Sequence, residues 1–344
     1  MSTAHVVVPE GIDDPTRPSG GNVYDRRVSR GLATAGWTVR IHEVAGSWPR
    51  PDVQSRDALA TVVGAIPDGS AALVDGLVAS PSAGVLVPHT ARLRLVVLVH
   101  MPLGAGPEGA VLSAASAVVT TSAWSRRVLL ELYGLPGERV HVAEPGVDPA
   151  ELALGTPNAG ALLSVAAVIP GKGHDLLLDS LAPLTGFRWH CRCVGSLERD
   201  PAFVRRLRSR MLDDGMDGRV HFQGPQADDD LDRSYAAADV LVFPSRAEAY
   251  GMVVAEALAR GVPVVAADVG GVPEALGRGA DGTRPGVLVP PDDSAALHDA
   301  LRSWLEDAEL RRRLRRAARE RRASLTDWST TTAAVAEVLS GAAR

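Results

Sequence analysis

Short apolar runs alternate with amphipathic stretches along most of the chain. The runs LRLVVLV (93–99), ALLSV (161–165) and DVLVF (239–243) have the length of strands and are almost continuously apolar, which is typical of parallel strands buried on both faces. Between such runs, apolar residues recur at helical spacing, as in MVVAEALAR (252–260). This alternation predicts parallel sheets with right-handed crossover helices, and therefore an α/β protein.

The length of the chain indicates two domains. Its 344 residues are 46% hydrophobic, which is enough for two domains of about 150 residues each. The segment EPGVDP, with prolines at Pro145 and Pro149, interrupts the periodic pattern. We therefore expect the first domain to end near residue 147 and the second to begin near residue 148.

The stretch from Pro244 to Leu276 carries the clearest candidate chemistry. A helix is predicted to begin near Gly251 and to stop at Gly261, and the free N–H groups at its start favour an anion such as a diphosphate. Glu248 precedes this helix and Glu256 lies more than a turn inside it. Carboxylates bind pairs of hydroxyls, so one acid for a ribose and one for a sugar is one interpretation. Solvated surface acids are the alternative.

The surroundings of the two glutamates carry a family resemblance. Seven residues separate them, Pro-Ser lies before the pair, and GVPVVA and GGVPE follow. In this respect the chain resembles the retaining GT-B glycosyltransferases of family 4. The resemblance implies two doubly wound Rossmann-like domains facing across a cleft, with an N-terminal acceptor domain (1–147 plus 326–344) and a C-terminal nucleotide-sugar domain (148–325). It also makes the helix Thr330 to Leu339 return to the first domain.

Lys172 lies in a Gly-Lys-Gly loop between a strand and a helix that begins near His174. A lysine in such a loop is a point charge for phosphate oxygens, and the loop is similar to the Lys-Gly loop of the family. The family's accompanying arginine is missing, because Ala167 or Gly171 stands at the corresponding position. We expect backbone donors, or an arginine from elsewhere, to act with Lys172.

The N-terminal half contributes weaker candidates. A strand over His5 to Val8 is followed by a predicted loop from Pro18 to Asn22, and then by a helix from Val23 to Ala35. His100 follows the run 93–99, where the resemblance implies contact with the donor sugar, whereas a hydrogen-bonded core histidine is the alternative. Asp75 ends another apolar run and is interpreted either as an acceptor contact or as an Asx turn.

The resemblance assigns roles to nine positions. The residues with expected catalytic roles are His100, Lys172 and Glu248. The expected donor-binding residues are Gly20 and Gly21, as a loop over the phosphates, with Lys172, Glu248, Tyr250, Gly251 and Glu256. Glu274 is a weaker candidate, for which a helix-start acid is the alternative. No metal and no cofactor are expected, with a nucleoside diphosphate sugar as co-substrate.

The implied reaction is the metal-independent transfer of a sugar from a UDP- or GDP-type donor to an acceptor hydroxyl or amine, with retention. The implied partners are the nucleotide-sugar donor and a small-molecule, glycan or lipid acceptor. A nucleotide-sugar epimerase or a phosphorylase of the same fold, and a non-catalytic nucleotide-sugar-binding protein, remain alternatives. An epimerase would change the donor without acceptor, and a phosphorylase would need inorganic phosphate.

Charge and composition limit which other classes of partner, and which cellular location, we expect for the protein. The formal net charge of −5 argues against nucleic-acid binding. The run from Arg311 to Arg322 is densely basic and is interpreted either as a solvated helix face or as a weak contact with an anionic membrane. Cys191 and Cys193 alternate along one strand and are expected to be buried thiols. With no run of spanning length and a first strand too early for a signal peptide, we expect a cytoplasmic protein.

Overall fold

The computed structural model describes residues 2–14, 19–104 and 106–341, so Pro18 of the predicted glycine-rich loop lies outside it. The chain forms two compact units. Of the described residues, one unit comprises those within 2–14, 19–146 and 326–341, and the other comprises Val147–Leu325.

The first unit is a parallel sheet with crossover helices. Its elements are β1 (Thr3–Pro9), α1 (Gly20–Thr34), β2 (Thr38–Val44), α2 (Val53–Gly64), β3 (Ala71–Asp75), α3 (Gly76–Ala79), α4 (Ala83–Leu86), β4 (Arg94–Val99), α5 (Glu108–Ala114), β5 (Ala117–Thr120), α6 (Ala123–Tyr133) and β6 (Val140–Val142). The strand order is β2-β1-β3-β4-β5-β6, and all pairs are parallel. The chain therefore reverses its direction of winding between β1 and β3.

The second unit repeats this architecture. Its elements are β7 (Ala161–Val165), α7 (His174–Leu181), β8 (His190–Val194), α8 (Pro201–Asp213), β9 (Val220–Gly224), α9 (Asp228–Ala236), β10 (Val240–Phe243), α10 (Met252–Ala259), β11 (Val264–Ala267), α11 (Val272–Leu276), β12 (Gly286–Val289), α12 (Ser294–Glu306) and α13 (Ala308–Arg322). The strand order is β12-β11-β10-β7-β8-β9, again with all pairs parallel. Here the winding reverses between β7 and β10.

The central strands of each sheet are apolar on both faces, as the runs predicted. β4 is buried from Leu95 to Val99 and β10 is buried throughout, while separate apolar clusters lie on the two sides of each sheet. Cys191 and Cys193 are buried free thiols in one of these clusters. The predicted fold class, α/β with two doubly wound Rossmann-like domains, is confirmed.

The C-terminal helix packs in the first unit. α14 (Trp328–Ser340) begins two residues before its predicted start, because Asp327 caps it through the N–H of Thr330. It lies against α1 so closely that a Cβ on Gly31 would be 2.2 Å from Oγ1 of Thr332. Among the described residues, no helix is long and apolar enough to cross a bilayer.

Candidate functional site

The topology of the second unit directs attention to two loops. In open parallel sheets, ligands bind beyond the carboxyl ends of the strands at the point where the winding reverses. For this sheet that point lies between β7 and β10. The segments that follow these strands are 166–173, which contains Lys172, and 244–251, which contains Glu248.

A glycine allows the two loops to meet. Pro170–Lys172 form one turn of 3-10 helix, and Gly173 follows it with a φ of +69°. A Cβ at Gly173 would lie 2.0 Å from the carbonyl oxygen of Pro244, which only glycine avoids. The turn that carries Lys172 is thereby held directly against the loop that carries Glu248.

Lys172 and Glu248 form an ion pair between Nζ and Oε1. Oε1 of Glu248 also accepts a hydrogen bond of 2.8 Å from the hydroxyl of Ser245. The lysine side chain is 28% exposed and that of Glu248 is 12% exposed, so the pair is sheltered yet reachable. Such a pair offers a cation for phosphate oxygens beside an acceptor for hydroxyl groups.

Glu256 has a different environment. It lies in the second turn of α10, where its Oε2 accepts a hydrogen bond of 2.7 Å from the hydroxyl of Tyr235. Burial raises the pKa of Glu256, since a low dielectric disfavours the charged form. Within the described ranges, no hydrogen bond or ion pair joins Glu256 to Lys172 or Glu248. Lys172 and Glu248 thus meet between two loops, whereas Glu256 lies in the helix that follows, without a shared contact network.

The start of α10 provides backbone donors. Gly251 precedes the helix with a φ of +92°, and no side chain caps the first turn. The ring of Tyr250, an expected donor contact, is 4% exposed and belongs to the core. Glu274 lies in the first turn of α11, as its helix-start interpretation predicted.

In the first unit, His100 lies between two buried aspartates. Its Nε2 is 2.9 Å from Oδ1 of Asp25 and 3.4 Å from Oδ2 of Asp75. Asp75 also forms the expected Asx turn, because its Oδ1 accepts a hydrogen bond from the N–H of Leu77. β3 and β4 end at Asp75 and Val99, so the parallel register brings Asp75 and His100 to the same edge of the sheet.

The charges of this cluster depend on one another. Burial alone would lower the pKa of His100, but Asp25 and Asp75 outweigh it and raise the pKa to about 10. Burial raises the pKa of Asp25 to about 7, against the opposing charge of His100. The two aspartates therefore favour the protonated form of His100. One ligand atom from each residue lies within 4.8 Å of the other two, a spacing that could also hold a metal ion.

The prediction for Gly20 and Gly21 as a loop was wrong. Both belong to α1, which begins three residues earlier than predicted because the hydroxyl of Ser19 caps it through the N–H of Asn22. Gly21 instead makes room for His100, since a Cβ there would lie 3.2 Å from Cδ2 of the imidazole.

Two features of the sequence that point to this site were not used in the predictions. Lys172 is the only lysine among the 36 lysine and arginine residues of the chain, so residue counting alone points to it. Arg246 lies two positions before Glu248, and its main-chain N–H donates to the carbonyl of Gly171. An arginine thus reaches the turn of Lys172 from another loop, while Ala167 and Gly171 supply none.

Comparison with known proteins assigns the family. Residues 156–321 match the model for glycosyl transferases group 1. A D-inositol 3-phosphate glycosyltransferase of Saccharomonospora viridis is 35% identical over 263 residues, 68% of this chain and 57% of that protein. D-inositol 3-phosphate glycosyltransferase 1 of Catenulispora acidiphila is 34% identical over 243 residues, 64% of this chain and 56% of that protein. The chain thus spans little more than half the length of these curated relatives.

Solved structures resemble the chain over nearly its whole length. Anabaena HepE in complex with UDP and glucose superposes with a TM-score of 0.78 at 20% identity, over 99% of this chain and 100% of that chain. Sucrose-phosphate synthase from Thermosynechococcus elongatus gives a TM-score of 0.78 at 22% identity, over 99% of each chain. By its matched segment, its relatives and its fold, the chain belongs to the glycosyl transferases group 1 family and has the GT-B architecture.

Proposed function

We propose that the chain transfers a sugar from a nucleoside diphosphate donor to an acceptor hydroxyl or amine, with retention of configuration and without a metal ion. The observation that carries this proposal is the Lys172–Glu248 pair at the point where the winding of the second sheet reverses. Family membership supports the reaction class.

The pair suits the departure of a diphosphate. Negative charge grows on the leaving oxygens as the bond to the sugar breaks, and preorganised donors stabilise that charge. Lys172 supplies an ammonium group, and the uncapped start of α10 supplies N–H groups. When phosphate takes the ammonium, Glu248 is released from the ion pair to bind sugar hydroxyls. The two residues thus exchange partners as the donor enters.

Glu256 and His100 complete the proposed donor contacts. Tyr235 bonds Oε2 of Glu256, and Oε1 is the acceptor that we propose for a ribose hydroxyl. His100, whose protonated form Asp25 and Asp75 favour, is proposed to contact the sugar. UDP sugars are the first donors to test, because HepE was solved with UDP and glucose. GDP sugars form the second group.

The acceptor is proposed to be a small molecule, a glycan or a lipid. The names of the relatives specify D-inositol 3-phosphate, which makes inositol phosphates the first acceptors for a panel. Weak contact of α13 with an anionic membrane is a separate proposal. The helix contains eight arginines and two glutamates, and Arg313 and Arg319 are both exposed.

Donor binding and turnover test the proposal together. We expect UDP or GDP to raise the melting temperature, since a ligand that binds only the folded state stabilises it. With the matching sugar donor, diphosphate release should require an acceptor. Glu256→Ala should chiefly raise the KM for donor, and Glu306→Ala, on the exposed surface of α12, should change neither constant. Tight donor binding with no diphosphate release across the acceptor panel would contradict the proposal.

A further inference from the structure

Arg246 connects the two loops of the candidate site. Its Nη1 and Nη2 donate hydrogen bonds of 2.9 Å each to the two carboxylate oxygens of Asp175. Its Nε donates to Oδ1 of Asp292 at 2.5 Å, and Nη1 also donates to the carbonyl of Pro170. The main-chain N–H of Arg246 donates to the carbonyl of Gly171 at 2.9 Å.

The residues that Arg246 contacts lie on both sides of Lys172 in the sequence. Pro170 and Gly171 precede the lysine in its 3-10 turn, and Asp175 lies in the first turn of α7 just after it. A bidentate pair between a guanidinium and a carboxylate fixes direction as well as distance. The position of the turn relative to Glu248 therefore depends on Arg246.

The ion pairs of Arg246 are partly exposed to solvent, which limits their contribution to the stability of the fold. The side chains of Arg246, Asp175 and Asp292 are 27%, 34% and 63% exposed. Ion pairs this exposed add little to the free energy of unfolding. Their main consequence is the geometry of the turn.

Most of the hydrogen-bond donors of the Arg246 side chain are already used within the protein. A guanidinium has five N–H donors, and the hydrogen bonds to Asp175, Asp292 and Pro170 use four of them. Direct binding of a diphosphate would require several of these bonds to break. Arg246 thus differs from an arginine that would grip phosphate itself.

We propose that Arg246 is a positioning residue, which holds the turn of Lys172 so that the ammonium faces Glu248 and the donor phosphates. The identity of the phosphate ligand rests on the proposed function, but the positioning of Lys172 can be measured without any ligand. The structure provides the means, because the chain has a single lysine.

The experiment measures how fast an amine-reactive acetylating reagent modifies Lys172. Because one ε-amine exists, peptide mass spectrometry separates it from the N-terminal amine. We expect Arg246→Ala to be modified several-fold faster than the wild type, with an unchanged melting temperature. Arg246→Lys keeps the charge but loses the bidentate bond and adds a second ε-amine, so the peptide that contains Lys172 is quantified by itself, and its rate should fall between the other two. Glu248→Gln removes the ion pair alone and marks the rate of an unpaired lysine.

Arg302→Ala is the matched control. Arg302 pairs with Glu306 on the exposed surface of α12, so its removal should leave the labelling rate unchanged. If Arg246→Ala fails to fold, Asp175→Asn weakens the same clamp and should also accelerate labelling. Equal labelling rates in the wild type and in the folded variants of Arg246 and Asp175 would overturn the positioning role.

Adding nucleotide separates this inference from the proposed function. If UDP and GDP do not protect Lys172 in the wild type while Arg246→Ala still labels faster, the positioning role stands and the donor proposal fails. If nucleotide protects both proteins and their ligand-free rates are equal, the donor proposal stands and the positioning role fails. With an active donor, Arg246→Ala should lower kcat more than it raises KM.

Discussion

At the scale of single residues, the chemistry of Lys172 differs from that of the arginines around it. An ammonium is a compact, strongly hydrated point charge, whereas a guanidinium is planar and wide. Lys172 approaches Glu248 and lies 6.0 Å from the ring centroid of Phe243, where a compact group fits. All the other lysine-or-arginine positions of the chain hold arginine, and this position alone holds lysine.

We therefore predict that arginine does not replace Lys172. Lys172→Ala should lower kcat by about 10²-fold, the typical cost of losing one preorganised donor to the transition state. Lys172→Arg should also be slower than the wild type, although its charge is kept, because the guanidinium displaces the pairing with Glu248. The rate of diphosphate release checks both variants. A wild-type rate in Lys172→Arg would show that charge alone matters.

His174 leads to a second prediction at this scale. It is 1% exposed, and neither ring nitrogen has a hydrogen-bond partner among the described residues. Burial lowers the pKa of His174 from 6.5 to about 4. The unfolded chain therefore takes up a proton below pH 6.5 that the folded chain excludes, so the free energy of unfolding should fall as pH decreases from 6.5 towards 4.

His174→Leu removes both orphan nitrogens at similar volume. We expect the free energy of unfolding to rise by about 1–3 kcal/mol, with a larger gain at pH 5 than at pH 7. Denaturant titrations at the two pH values measure the difference. An unchanged pH dependence would show that His174 does not titrate as proposed.

At the scale of elements, the site depends on a close approach of two loops. The 3-10 turn after β7 and the loop after β10 come from segments about 80 residues apart, yet Gly173 contacts Pro244 without any intervening side chain. Gly270 reinforces the second loop, since a Cβ there would lie 1.6 Å from the carbonyl of Glu248. Glycine is required at both positions for this packing.

Gly173→Ala tests the importance of that approach. The new methyl group would meet a backbone carbonyl, which cannot rotate away, and the φ of +69° is also unfavourable for alanine. We expect a loss of about 1–3 kcal/mol in the free energy of unfolding, together with faster labelling of Lys172. Gly171→Ala, two residues earlier, is the control, because a Cβ there has nothing within 4 Å. Equal stability of the two variants would contradict the packing argument.

At the scale of the whole molecule, charge is unevenly distributed. The chain has a net charge of −5, although α13 carries eight arginines against two glutamates. Several of these charges are matched locally, since Arg315 pairs with the buried Asp239, and Arg316 pairs with Asp281. What α13 presents to a partner is set mainly by its exposed arginines, such as Arg313 and Arg319, for which the described part of the chain shows no such pairing.

We predict weak, salt-sensitive binding of the protein to anionic vesicles. Each arginine near such a surface contributes about 1 kcal/mol, so charge reversal in Arg313→Glu/Arg319→Glu should weaken binding at least about tenfold. Co-sedimentation with vesicles of phosphatidylglycerol and phosphatidylcholine measures it, and pure phosphatidylcholine vesicles are the control. Binding that is equal in the wild type and the double variant would assign α13 to a solvated face.

Much of the fold could be predicted because its signal is local. Buried parallel strands need apolar residues on both faces, so the strands 93–99, 161–165 and 239–243 were visible as runs, and the α/β class followed. The start of α1 was misplaced because the cap on Ser19 depends on one hydrogen bond, whereas the glycines suggested a turn. Gly20 and Gly21 thus lie in a helix, because the cap from Ser19 outweighs the preference of glycine for turns.

By itself, the sequence determined the two-domain α/β class, the loops of Lys172 and Glu248, and the family. Only the tertiary structure decided which side chains meet: Arg246 with Asp175, Glu256 with Tyr235, and His100 with Asp25 and Asp75. These partners lie 21 to 75 residues apart, and strand register and close glycine contacts bring them together. Periodicity predicts which face of an element is buried, but it contains no information about the side chains that pack against that face.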